Sequence, residues 1–93
     1  MKKPPHFKFR LYVAGTGPNS AQALVNLSAL CRDHLPERHE IEIVDVLLDP
    51  KRALADGVML TPQLVRLSPS PILNIVGNLS QTQPVLLALG LSK

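Results

Sequence analysis

The first regular pattern in the chain begins at Phe7. Phe7, Phe9, Leu11 and Val13 alternate with Lys8, Arg10 and Tyr12, and this two-residue period predicts a strand over 7–14 with one apolar and one polar face. Gly15-Thr16-Gly17-Pro18 then breaks the pattern. Leu24, Leu27, Cys31 and Leu35, flanked by Ala23 and Leu30, follow at helical spacing. They predict a helix capped by Asn19 or Ser20 and stopped near Leu35, because Pro36 cannot extend it. Between Glu40 and Leu48 the apolar residues Ile41, Ile43, Val44 and Val46 form a nearly continuous run. Such a run is expected of a strand covered on both faces. Strand, helix, strand in this order implies parallel pairing through a right-handed crossover.

The second half is more finely divided. Asp49-Pro50 opens a short helix, with Asp as cap and Pro at the first helical position, and Gly57 can close it. Val58 to Leu60 is apolar and leads into Thr61-Pro62. Residues 63–67 and 72–76 read as two short strands joined by the Ser68-Pro69-Ser70-Pro71 turn. After Gly77-Asn78, Ser80 and Gln83 are spaced as a capping box for a last helix. Pro84 delays that helix, Leu86, Leu87 and Leu89 are its apolar positions, and Gly90 ends it. The reading is a single α/β domain over 1–93, ordered βαβαββα, with 1–6 as a flexible lead-in. A βαβ lobe followed by a ββα lobe is the plan of a thioredoxin-like domain.

Composition narrows the function. The chain has 93 residues, 45% of them hydrophobic and 3% aromatic, with no Trp, so it supports one aliphatic core. The net charge is +3 and the basic residues are scattered, whereas a nucleic-acid binder concentrates them in a stripe or on one face. A single cysteine, Cys31, excludes an internal disulfide or a cysteine metal cluster and fits a reducing compartment. MKKPPHFKFR lacks the apolar core of a signal peptide, and no apolar run reaches membrane-span length. The expectation is a cytoplasmic protein engaging neither membrane nor nucleic acid.

Catalytic chemistry has few candidates. A thioredoxin keeps its reactive cysteines in the loop after the first strand, where a helix N-terminus stabilises the thiolate. Here that loop reads Gly15-Thr16-Gly17-Pro18-Asn19-Ser20. Cys31 falls well inside the first helix and reads as a buried small hydrophobe. His6, His34 and His39 match no zinc spacing. The glycines of 15–17 lack the GK[ST] ending of a phosphate loop. Ser20, Ser68 and Ser80 have no triad context, while Asp45 and Asp49 read as turn and cap residues. No catalytic, cofactor-binding or metal-binding residue is assigned. Lys8, Arg10 and Tyr12 make either a solvated or edge-protecting face or part of a partner contact. The Thr61-Pro62 bond, on the residues alone, reads as a trans peptide in a turn.

Leu11-Tyr12-Val13-Ala14-Gly15 followed by Pro18-Asn19-Ser20, then Val44-Asp45-Val46 before Pro50, Leu60-Thr61-Pro62, and Gly77-Asn78-Leu79-Ser80 together resemble the KaiB family of bacterial clock proteins. The likeness runs from about Phe7 to Leu91. The N-terminal domain of a clock-associated histidine kinase is similar. The resemblance implies a non-catalytic, fold-switching regulator in circadian or stress-type control. Its ground state would be a βαββααβ fold, assembled as a dimer or tetramer. Its rarer thioredoxin-like state would carry a cis Pro62, be monomeric and bind a KaiC-like hexameric ATPase, with a KaiA-like protein or histidine kinase as a further partner. The contact set it implies includes Lys51, Arg52, Thr61, Pro62 and Arg66. The chain departs from the family at Leu73 and Asn74, where adjacent arginines are usual, and at Gln22 and Gly57, which replace basic residues. The alternatives are a redox or glutathione-handling enzyme, disfavoured by the thiol-free loop, and a self-assembling oligomer without a KaiC-like partner, fed by the apolar stretch 84–91.

Overall fold

A computed structural model describes residues 5–91. Its elements are β1 (Phe7–Val13), α1 (Pro18–His34), β2 (His39–Asp45), α2 (Pro50–Ala55), β3 (Gln63–Ser68), β4 (Leu73–Val76) and α3 (Thr82–Leu89). This is the thioredoxin-like order. Of the 1–6 lead-in, residues 1–4 lie outside the described part, while His6 reaches Glu40 at 3.1 Å.

The four strands form one sheet in the order β2-β1-β3-β4. β1 pairs with β2 in parallel, Arg10 facing Glu42 and Tyr12 facing Val44. It pairs with β3 antiparallel, and β3 with β4 antiparallel, Gln63 facing Val76. The alternation of β1 sorts its side chains between two cores. Phe7, Phe9, Leu11 and Val13 pack with Ala23, Leu27, Leu30 and Cys31 of α1 and with Val85, Leu86 and Leu89 of α3. On the other face Tyr12 joins Val44, Val65 and Ala53 of α2. The sheet is thus layered between α1 and α3 on one side and α2 on the other.

Several expectations change. β2 is an edge strand, and of its side chains only Val44 is buried, so its apolar run does not mark coverage on both faces. β1 is central, so its Lys8–Arg10–Tyr12 face is no edge guard, and α2 covers the Tyr12 end of it while Lys8 stays exposed. α1 starts at Pro18 with Gly17 as its cap residue. Ser20 instead turns its hydroxyl to the Ala14 N–H. The core face of α1 is Ser20, Ala23, Leu27, Leu30 and Cys31, which leaves Leu24 exposed. α3 starts at Thr82 after Gln81, with no side-chain cap bond. Pro84 falls in its first turn, where backbone N–H groups need no intrahelical partner. Val85, Leu86 and Leu89 are its buried positions, and Leu87 faces solvent. Gly90, at φ 76°, closes α3 in the left-handed conformation. The peptides before Pro62, Pro69 and Pro71 are cis.

Candidate functional site

The short helix α2 carries the chemistry of the second face. Its cap residue Asp49 and Pro50 start it, and it ends at Asp56. Ala53 is its only buried position, so apolar packing alone gives it a narrow hold on the sheet. A charged network supplies the remainder. The Arg10 guanidinium donates from Nε to Glu42 Oε1 at 2.7 Å and from Nη1 to Asp56 Oδ2 at 2.8 Å. Arg52 Nη2 donates to the same Glu42 oxygen at 2.8 Å, and its Nε lies 3.9 Å from Asp49. The Tyr12 ring is 0% exposed. Its hydroxyl donates to Asp56 Oδ2, with the Arg52 carbonyl oxygen 3.2 Å away.

The titration of these groups follows from the contacts. Arg10, then Arg52, hold the Glu42 carboxyl below its usual range. The Tyr12 hydroxyl, then Arg10, do the same for Asp56. Burial, reinforced by Asp56, raises Tyr12 above its ordinary value. Arg10 is raised by Glu42 and Asp56. At neutral pH the network is therefore two guanidinium groups shared by two carboxylates and one neutral phenol, a clamp between β1, β2 and α2.

Exposed aliphatics lie on α2 and next to it along the chain. Leu47 and Leu48 precede α2, Leu54 lies on it, and Met59 and Leu60 follow it; these five are between 63% and 91% exposed. Lys51 is exposed beside them and has no ion-pair partner among the described residues. The loop between β1 and α1 adjoins this surface. Gly15, at φ 63°, donates its N–H to Asp45 Oδ1 at 3.1 Å. A Cβ added at Gly15 would sit 3.5 Å from Leu47. That loop contains no sulfur. Cys31 is buried in the main core, and burial pushes its thiol up to about 11. Among the described residues no group of three His, Cys, Asp or Glu is placed to hold a metal, and no helix is long and apolar enough to cross a membrane.

The contact residues expected from the sequence are thus divided. Arg10, Tyr12 and Arg52 meet in the clamp, with Tyr12 out of reach of solvent. Lys8 is exposed on β1, 4.0 Å from Glu40, and Lys51 is exposed on α2. Thr61 is half-buried and Pro62 buried, the Pro62 carbonyl accepting the Gly77 N–H at 2.9 Å. Arg66 lies on the opposite face. It is 8% exposed and donates to the carbonyls of Leu89 at 3.2 Å and Pro71 at 3.0 Å. Its guanidinium lies 5.9 Å from the Phe7 ring centre, so in this fold it ties α3 to the β3–β4 turn. Sequence reasoning missed Glu42, Asp56 and the five exposed aliphatics. Glu42 was within reach, because parallel pairing of the first two strands sets it opposite Arg10. The aliphatics were signalled by two apolar runs flanking a helix too short to bury them.

Comparison with known proteins agrees with the fold. The N-terminal domain of Synechococcus elongatus SasA superposes with a TM-score of 0.75 at 15% identity, covering 100% of this chain and 91% of that one. Chloroplastic thioredoxin z gives 0.74 at 15% identity, over 92% and 78%. These likenesses establish a thioredoxin-like fold. In sequence, the circadian clock protein KaiB3 of Synechocystis sp. is 40% identical over 80 residues, spanning 86% of this chain and 78% of that protein. The circadian clock oscillator protein KaiB of Rippkaea orientalis is 36% identical over 85 residues, spanning 91% and 82%. Residues 10–91, from the first arginine of the clamp to just past the last helix, match the family model described as KaiB domain, and the chain therefore belongs to the KaiB family.

Proposed function

We propose that this chain is a non-catalytic regulatory module that binds a KaiC-like ATPase through the α2 face and changes that partner's activity or assembly. The observation that carries the reading is the set of exposed aliphatics, Leu47, Leu48, Leu54, Met59 and Leu60, gathered around one short helix. Contiguous exposed apolar surface on a small protein marks an interaction site. The clamp beneath fixes α2 on the sheet, so the surface is presented in one arrangement and less ordering is needed on binding. Lys51, set among these aliphatics, favours a partner surface that is apolar with a carboxylate at its margin. Lys8, Arg52, Thr61 and Pro62 complete the proposed contact set, and Arg10 and Tyr12 hold the end of α2 from the sheet beneath. Arg66, bound to the carbonyls of Leu89 and Pro71, belongs to the contact set only in an arrangement that releases α3. The names of the relatives support a role in clock-type regulation. A KaiA-like protein or a histidine kinase is the further partner class. The cytoplasm is the proposed compartment.

The test is a pull-down and calorimetric titration with a KaiC homologue of the same genome in the presence of ATP. Binding that weakens at least tenfold in Leu48→Lys and Leu54→Lys, with the fold unchanged, supports the reading. Absence of binding after prolonged incubation defeats it. Insulin-reduction and glutathione-conjugation assays test the enzymatic alternative on the same sample.

A further inference from the structure

We propose that the β4 edge accepts an extended, uncharged segment of another protein as a fifth strand of the sheet. The reading goes beyond the α2 face and is independent of it: the clamp joins α2 to β1 and β2, and β4 is the edge farthest from β2. From Leu67 to Leu91 the chain carries no Asp, Glu, Lys, Arg or His. That stretch includes all of β4, the following loop and α3. The β2 edge, in contrast, bears His39, Glu40, Glu42 and Asp45, the kind of charge that keeps strand edges from pairing. β4 has no such guard. A charged segment laid against it would lose water without gaining a counter-charge, so the edge selects a segment that carries none.

The register sets what that segment must be. β3 and β4 pair as Gln63↔Val76, Leu64↔Ile75, Val65↔Asn74 and Arg66↔Leu73, and the Gly77 N–H donates to the Pro62 carbonyl at 2.9 Å. In an antiparallel ladder the bonding direction alternates residue by residue. Gly77, Ile75 and Leu73 therefore bond inward to β3, and Asn74 and Val76 direct their N–H and C=O groups to the open edge. The main chain of an antiparallel strand meets these groups, the mode by which peptides add to sheet edges. The central residue of the segment lies opposite Ile75 and shares its face. That face opens into a cleft of about 310 Å³, lined by Ile75, Leu79, Pro84 and Val85 among others, which takes an aliphatic side chain. The wall of the cleft is fixed in advance of binding: Asn26 donates to the Asn78 carbonyl at 2.8 Å, and the Asn78 side chain accepts the Ser80 N–H at 3.0 Å. One flanking residue lies beside Val76, 53% exposed. The other lies beside Asn74, whose Oδ1 accepts from Gln63 and whose Nδ2 is left to donate. Along the partner the segment therefore runs from a β-branched residue through an aliphatic one to Ser or Thr. A second copy of this chain is a poorer fit, because it sets Asn74 against Val76 on both sides, polar against apolar.

The test is a titration of the full chain with the blocked peptide Ser-Val-Leu-Thr-Gly, followed by amide NMR shifts. Its Val, Leu and Thr face Val76, Ile75 and Asn74 in turn. Shifts centred on residues 72–77 and on the cleft are expected, half-saturated below about 1 mM peptide. Val76→Lys, which puts a charge on the edge, should weaken binding about tenfold. N-methylation of the peptide separates strand pairing from mere apolar contact. A methyl on the Val nitrogen blocks a bond to β4 and should weaken binding about tenfold, the worth of one or two net hydrogen bonds. A methyl on the Leu nitrogen, which points away from β4, should leave binding unchanged. Absence of shifts at about 1 mM peptide overturns the proposal, as do equal effects of the two methyl groups or shifts that bypass β4. Equal binding of Ser-Val-Asp-Thr-Gly overturns the selection against charge. Concentration-dependent shifts at β4 without peptide also overturn it, since the occupant is then a second copy. The paired N-methyl peptides on the unsubstituted chain decide the question even if Val76→Lys does not fold.

Discussion

Removing the Tyr12 hydroxyl is the sharpest probe of the clamp. In Tyr12→Phe the fully buried ring keeps its packing against Val44, Ala53 and Val65, and only the donor to Asp56 is lost. A hydrogen bond to a charged acceptor contributes about 1.5–3 kcal/mol, and leaving the carboxylate short of a donor costs part of its desolvation. Asp56 retains Arg10 at 2.8 Å, and its side chain is 27% exposed, so water can replace the missing donor. The expected loss is therefore at the low end, about 1.5 kcal/mol, or a fall in Tm of about 6–12 °C for a domain of this size. Urea unfolding at pH 7, followed by circular dichroism, measures it. The pH dependence gives a second, independent check. Tyr12 and Arg10 lower the Asp56 pKa in the folded state. Stability from this carboxylate is thus full above its unfolded pKa of about 4 and is lost as pH falls through the lower folded value. The difference between Tyr12→Phe and the parent should accordingly shrink on acidification below about pH 4. A loss under about 0.3 kcal/mol at pH 7 would show that the hydroxyl contributes no more than an ordinary surface group, and a penalty that grows in acid would show that its partner is not the carboxylate.

Three further outcomes follow from the packing. Leu27, 0% exposed in the main core, should cost about 2–5 kcal/mol in unfolding free energy on replacement by Ala, the usual range for a buried leucine. Arg66→Lys keeps the charge but not the fork that spans the carbonyls of Pro71 and Leu89; a loss of about 1–3 kcal/mol is expected, and hydrogen exchange should quicken first in α3. Cys31, buried and with its thiol raised to about 11, should resist alkylation at pH 8 in the native protein and react readily in urea, because thiolate is the reactive form; rapid native labelling would contradict its placement.

Much of this architecture was legible in the sequence because each strand and helix announces itself through its period and its stops. The alternation of β1, the Asp49-Pro50 start of α2 and the Gly90 stop of α3 are local signals, and the fold uses them as they stand. What was hidden depends on neighbours. The apolar run Ile41 to Val46 looks like a central strand, but edge or centre is decided by strand order, and β3 rather than β2 takes the place on the far side of β1. Leu24 and Ala23 differ by one residue around α1. The sheet selects the face bearing Ser20 and Ala23, whose small side chains suit a helix lying over a strand. Lys8, Arg10 and Tyr12 share one face, yet only Tyr12 is sealed, because α2 crosses that end of β1. The candidate site was half visible for the same reason. Its cations can be read from the chain one by one, but the carboxylates that pair them come from β2 and the end of α2, and the pairing exists only once the parallel register is set.

The central claim is that this member of the KaiB family acts through the α2 surface and not through any reacting side chain. Calorimetric titration of the parent, Leu54→Lys and Val76→Lys into an ATP-loaded KaiC homologue of the same genome tests it most directly. Binding by the parent and Val76→Lys, with at least a tenfold loss in Leu54→Lys, is the predicted result. Equal binding by all three, or none by the parent, would contradict it.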